Sequence, residues 1–269
     1  MQRRLVTIEK GLGPQGRIAV VRFDRGDNIN ALSQQAMREL RDVPRDFEDD
    51  LETSVVILTG SAKAFSAGFD LKDPEGRQRD ALSVGERIHR QRLGPKMCKA
   101  WQDIDQVTIA AIEGHCIGGG AALVVALDFR VCGRSAHFRI PEVELGMNMS
   151  WGSIPRMLAL IGPARTKQAV ILASDRIAAA EALDWGLVEK VVDDGQALAA
   201  AMEFAERIAR QPPIPVRMTK ATVNRFTHAL ADLGAHMDAD QNVLTGLTED
   251  YKEGTQAFRD KRKPVFKGR

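Results

Sequence analysis

Twice along this chain a short apolar run leads into a glycine-rich turn. Val55-Val56-Ile57-Leu58 runs toward Ala64-Phe65-Ser66-Ala67-Gly68-Phe69-Asp70, and the run over 107–112 toward Ile117-Gly118-Gly119-Gly120. Such runs, bounded by turn residues, read as buried strands. The second turn opens a helical stretch over 119–127, followed by another apolar run at 129–132. Repetition of strand, turn and helix implies an α/β architecture. Glycine allows a close approach of backbone that a Cβ would block. Peptide N–H groups in the two turns can therefore face a bound carbonyl, and two donors aimed at one oxygen stabilise the anion of an enolate. Pro141-Glu142 follows closely and offers a carboxylate base.

The N-terminal part predicts a hairpin, with Leu5-Val6-Thr7-Ile8-Glu9 and Ile18-Ala19-Val20-Val21-Arg22-Phe23 joined through a Gly-Pro turn over 11–16. Ser33 is placed to cap a helix reaching about Asp50, with Met37, Leu40 and Val43 on one face. Residues 73–91 read as a polar loop entering a helix. Beyond Gly94-Pro95, the helical spacing of Met97, Trp101 and Ile104 predicts core positions. After Pro163 the pattern is helical near 164–173, 178–185, 197–210, 215–233, 236–247 and 250–261, with one short strand at 188–192. Two regions are expected: a core with the active site over 1–200 and a helical oligomerisation region over 201–269.

Charge is nearly balanced, 38 basic against 36 acidic side chains for a net +2, and aromatic residues make up 5%. Neither value favours a nucleic-acid or membrane-binding protein. Cys98, Cys116 and Cys132 are odd in number and lack CxxC spacing, so reduced thiols are expected in place of a disulfide or zinc framework. His89, His115, His137, His228 and His236 show no metal-binding spacing, and no metal is expected. Arg3-Arg4 precedes no apolar signal region, and no run approaches the ~20 apolar residues of a membrane span, which predicts a cytoplasmic protein.

Asn30-Ala31-Leu32, Leu58-Thr59-Gly60, AFSAGFDLK (64–72), AAIEGHCIGGG (110–120), LDFRV (127–131), PEVELG (141–146), ASDRIAAAEALDWGLVEKVV (173–192) and AFRDKRKPVFKG (257–268) occur in a telling order. Together they resemble the crotonase superfamily, the enoyl-CoA hydratase/isomerase family, over essentially the whole chain. The resemblance implies a spiral of ββα units with a C-terminal α-helical region that builds homotrimers or dimers of trimers. It also implies an acyl-CoA thioester substrate, with coenzyme A carried by the substrate and no separate cofactor. By motif position, Phe69 and Gly119 supply the two amide donors and Glu142 moves protons at the α carbon. Ala67, Asp70, Leu71 and Lys72 are placed toward CoA, as are Phe258 and Lys261, which in relatives often approach from a neighbouring subunit. Lys63 is a further phosphate candidate, and Asp128 and Arg130 match a structural signature.

One departure matters for chemistry. Where hydratases of the family carry a second glutamate after the glycines, this chain has Ala122. Alanine neither orients nor deprotonates water, so the resemblance points to a single-glutamate isomerase that converts 3-enoyl-CoA to 2-enoyl-CoA. Hydration with an atypically held water, using Glu144, Asn148 or Ser150, is the alternative. Glu144 would share the side of Glu142 if PEVEL is extended, although an ion-paired or solvated role is the commoner one. Trp151 stands in a loop that departs from the family's proline- and glycine-rich version and is placed either to shape acyl specificity or to pack. A non-catalytic CoA- or RNA-binding homologue is the reading from another functional class.

Overall fold

In the computed structural model, residues 4–77, 82–173 and 175–269 are described. Part of the loop expected at 73–91 lies outside them, as does Ser174 of the 173–192 motif. Strands β1 (Val6–Leu12) and β2 (Ile18–Phe23) pair antiparallel, as expected of the hairpin. From β2 the sheet continues in parallel through β3 (Val55–Thr59), then across β4 (Ala64–Ser66) in sequence to β5 (Val107–Ile112), and on to β7 (Phe129–Gly133) and β10 (Lys190–Val192). The intervening short strands form a second sheet. In it β4 pairs in parallel with β6 (His115–Ile117), β6 in parallel with β8 (His137–Arg139), and β8 antiparallel with β9 (Ile177–Ala178). Each pass of the chain thus leaves one strand in the larger sheet and the next in the smaller, from β3 to β4, β5 to β6 and β7 to β8. This is the mixed α/β fold that the resemblance implies.

Helices cover the strands. α1 (Gln34–Asp42) starts where expected, with the Ser33 hydroxyl accepting the Ala36 N–H at 3.2 Å. It stops short of Asp50 because Pro44 opens a separate 3₁₀ turn over Pro44–Phe47. The chain continues through α2 (Pro74–Arg77), α3 (Val84–Gln91) and α4 (Leu93–Asp103), which packs on α1. Met97 and Trp101 of α4 are fully buried, Ile104 is buried just beyond it, and the Trp101 indole donates to the Leu40 carbonyl at 2.9 Å. α5 (Gly119–Val124) is shorter than expected, and α6 (Ser153–Ile171) begins earlier than expected and breaks at Gly162-Pro163. α7 (Ala179–Trp185) precedes β10.

α8 (Ala197–Ala209) explains why both faces of β3 are apolar. Val55 and Ile57 join Ala197, Ala201, Ala205 and Ala209 in one core, while Val56 and Leu58 face Met37, Leu40 and Phe47 in the other. The boundary expected near residue 200 falls inside α8, whose alanines are part of the sheet's core. α9 (Pro213–Thr227), α10 (Ala231–Ala235), α11 (Asp238–Thr245) and α12 (Glu249–Arg259) follow. α11 packs on α3 and α12 on the 3₁₀ turn Val143–Leu145.

Cys98, Cys116 and Cys132 are free and buried, in line with reduced core thiols, and desolvation pushes the Cys98 and Cys132 thiols up to about 12. Asp128 and Arg130 serve structure. Asp128 accepts from the Thr108 N–H and pairs with Lys220, while Arg130 donates to Leu127 and Leu187 and pairs with Glu189. Strand pairing also joins two histidines that sequence spacing keeps apart, His115 Nδ1 lying 3.0 Å from His137 Nε2. Among the described residues no helix is long and apolar enough to cross a membrane.

Small side chains let α8 lie close on the sheet, so volume added there has nowhere to go. Ala201→Leu is expected to cost about 1–3 kcal/mol, seen as a lower urea midpoint at an unchanged denaturant slope.

Candidate active site

The turn after β4 uses nearly all of its amides internally. The Ala67 N–H donates to the Ile29 carbonyl at 3.0 Å, the Gly68 N–H to the Ser66 hydroxyl at 3.1 Å, and the Asp70 N–H to the Leu32 carbonyl at 3.1 Å. Among the described residues the Phe69 amide alone in this series has no acceptor. Asn30 anchors the turn from below. Fully buried, its side-chain amide donates to Phe23 and Phe65, and its oxygen accepts the Arg25 N–H. Gly68 has φ of 84°, and a Cβ there would lie 2.7 Å from the Ile117 carbonyl and 3.4 Å from the Gly119 nitrogen. The two glycine turns therefore touch at this point, and glycine is what permits it.

The second turn repeats the arrangement. The Gly118 N–H donates to the Arg139 carbonyl at 2.8 Å, and the Ala122 N–H closes the first helical bond, to Gly118, at 2.9 Å. Gly119 is the first residue of α5, so its amide has no partner within the helix and sits at the positive end of the helix dipole. Gly118 has φ of 51°, and a Cβ there would stand 2.6 Å from Glu142 Oε1. The carboxylate thus occupies the room a side chain on Gly118 would take, one residue before Gly119.

Glu142 keeps some exposure along its length, while its Oε2 is sealed from solvent and has no hydrogen-bond partner among the described residues. Desolvation pushes its carboxyl from 4.5 up to about 7, against weaker opposing pulls from its own backbone N–H and from Arg139. A carboxyl in this state can take up and release a proton near neutrality. No second carboxylate supports it from the expected place, because Ala122 is fully buried there. Nor is PEVEL extended. Glu142 is helical in backbone, Val143–Leu145 is a 3₁₀ turn, and Glu144 is ion-paired with Arg139. The ion-paired role weighed for Glu144 is the one observed.

The other candidates separate. Asp70 organises its own turn, pairing with Arg25 at 2.8 Å and accepting the Lys72 N–H at 2.8 Å. Ala67 and Leu71 are half-buried beside it, and Lys72 and Lys63 are exposed. Phe258 and Lys261 are exposed at the end of α12, the helix that packs on the turn following Glu142 in the same chain. Arg262 and Arg269 of the basic tail are drawn back onto Glu253 and Glu249 of that helix. Asn148 lies 3.4 Å from Gln241 of α11, and the buried Ser150 receives the Ser153 hydroxyl on its carbonyl. Among the described residues no group of three His, Cys, Asp or Glu side chains is arranged to hold a metal ion.

Sequence reasoning left Trp151 undecided between packing and specificity, and its position is now specific. The residue is 9% exposed, and its ring lies over Gly119. A Cβ on that glycine would be 2.5 Å from Cζ3 and 2.6 Å from Cη2. Trp151 takes up a left-handed φ of 64°, a conformation unfavourable for a bulky residue. Flanking bonds hold it, the Gly152 N–H donating to Asp238 of α11 at 2.6 Å and Arg156 to the Trp151 carbonyl at 2.8 Å. No sequence spacing links Asp238 to residue 152, so this tie was invisible beforehand.

Comparison with known proteins identifies the family. The enoyl-CoA hydratase/isomerase family model matches residues 13–269. A crotonyl-CoA hydratase of Syntrophomonas wolfei is 34% identical over 256 residues, 95% of this chain and 96% of that protein. A carnitinyl-CoA dehydratase of Salmonella typhi is 33% identical, with 94% of this chain and 96% of that protein covered. The crystal structure of an enoyl-CoA hydratase from Bacillus anthracis superposes with a TM-score of 0.76 at 32% identity, covering 99% of this chain and 100% of that one. With a match of this extent in sequence and fold, the chain belongs to the enoyl-CoA hydratase/isomerase family of the crotonase superfamily and is an acyl-CoA enzyme.

Proposed function

We propose that this enzyme moves a carbon–carbon double bond in an enoyl-CoA thioester from the 3 to the 2 position. Glu142 removes a proton from C2, and the electron pair passes into the thioester as an enolate. The oxygen of that enolate is held by the amides of Phe69 and Gly119, donors of a kind worth ~2.7–4 kcal/mol each at a transition state. Glu142 then returns its proton to C4, the bond between C2 and C3 becomes double, and the carboxylate is regenerated. No water enters. The observation that carries this reading is a lone desolvated carboxyl beside two glycine turns, with alanine at position 122 and Glu144 committed to Arg139.

A second reading, hydration across the double bond, draws support from the relatives, which are named hydratases and dehydratases. In that case a water must be held without the usual second glutamate. The reading also extends to assembly. Ile214, Met218, Phe226, Leu230 and Leu233 are large apolar side chains exposed along residues 213–235, a surface suited to packing copies of the chain as a trimer or a pair of trimers. Sedimentation velocity on the purified protein is expected to show three or six chains per particle.

The reaction is tested by offering 3-enoyl-CoA and, separately, crotonyl-CoA in heavy-oxygen water. Conversion of the first to 2-enoyl-CoA, with no label entering at C3 of the second, is expected. Label at C3 would replace isomerisation by hydration. Glu142→Gln should lower turnover by about 10²–10⁴-fold. Because the base works ionised, kcat/KM should fall as pH drops below about 7.

The same variant should be more stable than the parent at pH 8. The native carboxyl holds its proton up to about 7, whereas the unfolded one loses it near 4.5. Stability is therefore lost as pH rises between those values, by up to about 3 kcal/mol. Glutamine never carries that charge. Thermal melts should show Glu142→Gln above the parent at pH 8 and close to it at pH 5.

A further inference from the structure

Beyond the ring of Trp151 lies a cleft of about 1140 Å³, bounded by α4, α6, α9 and the 228–236 region. Trp151 and Gly152 are part of its wall, together with Lys96, Ala100, Pro155 and Arg156. None of Phe69, Gly119 and Glu142 lines it. The indole therefore touches Gly119 and also borders this cleft.

The ring is wedged between two glycines. Cζ3 and Cη2 lie over Gly119 of α5, and Cε2, Cδ2 and Nε1 occupy the place a Cβ on Gly94 of α4 would need. Both neighbours lack a side chain where the indole sits, so the ring fills the gap between the two helices. The backbone ties from Gly152 to Asp238 and from Arg156 to Trp151 oppose rotation of this residue out of the gap.

From these contacts we infer that Trp151 is the end wall of the acyl pocket and restricts the enzyme to short acyl chains. The inference rests on the acyl-CoA reading above. With the thioester oxygen on the Gly119 amide and C2 facing Glu142, an acyl chain that runs along the segment from Glu142 to Trp151 meets the indole lying over Gly119. On this inference a chain of a few carbons stops short of the indole. A longer one meets it, and removing the indole would open the way toward the cleft that Trp151 borders.

Saturated acyl-CoA esters test this without turnover, because they bind and do not react. Isothermal titration with butyryl-CoA and decanoyl-CoA is compared for the wild type, Trp151→Ala and Trp151→Phe. The wild type is expected to bind the butyryl ester more tightly. In Trp151→Ala the ratio of decanoyl to butyryl affinity should rise by about tenfold or more, since each methylene newly buried contributes about fourfold. Trp151→Phe, which retracts the edge over Gly119 while keeping an aromatic ring in the gap, should move the ratio in the same direction by less. It carries the test if the alanine variant does not fold. A ratio unchanged in a folded variant overturns the end-wall role and leaves the acyl-CoA reading standing. Failure of the wild type to bind butyryl-CoA overturns that underlying reading, and the wall with it.

Discussion

Parallel pairing of three very short strands, β4, β6 and β8, is the constraint on which the site depends. Each has three residues, too few to be stable alone. Each nevertheless ends where a candidate group begins: the Phe69 turn after β4, the Gly119 turn after β6 and Glu142 after β8. The register that sets Ile117 opposite Arg139, continued by the Gly118 N–H to Arg139 carbonyl bond, places the third segment beside the second. Close contact of Gly68 with Ile117 and Gly119 does the same for the first. The larger sheet, locked between its two apolar cores, supplies the rigidity that these short strands lack.

Such a frame can hold a carboxyl in a state it would not choose. Sealing Glu142 Oε2 away from water without a hydrogen-bond partner is unfavourable, and the cost is visible as a carboxyl raised to about 7. The same desolvation makes the group a usable base and acid near neutrality. Arg139 tempers the effect without cancelling it, because its guanidinium is committed to Glu144 and to the Ala173 carbonyl. Glu144 is thus held by Arg139 and Ala122 offers no carboxyl, while Asp70 on the first turn is paired with Arg25.

The C-terminal helices are tied to this centre within a single chain. α12 lies on the turn after Glu142, with Gly254 allowing its backbone to approach Leu145. α11 reaches the Trp151 loop through Asp238, itself buried and with its carboxyl raised mainly by desolvation. The positive-φ backbone of Trp151 is thus supported from residues nearly ninety positions away, which is how an otherwise unfavourable conformation persists.

Local pattern was enough for much of the molecule. Apolar runs marked every strand of the larger sheet, Ser33 marked the start of α1, and the spacing of Met97, Trp101 and Ile104 marked core positions. The motifs named Phe69, Gly119 and Glu142 directly, because glycine turns and a Pro-Glu step are written in consecutive residues. The smaller sheet was not legible, since three-residue strands carry too little alternation to read. Neither was the 3₁₀ turn at 143–145, which gave Glu144 to Arg139 and not to the side of Glu142. The sequence by itself determined which groups are present: two turns able to expose amides, one glutamate, and no second glutamate at 122. Only the tertiary structure decided their state, because desolvation of Glu142, the pairing of Glu144 and the seating of Trp151 between Gly94 and Gly119 all depend on atoms brought together from distant parts of the chain.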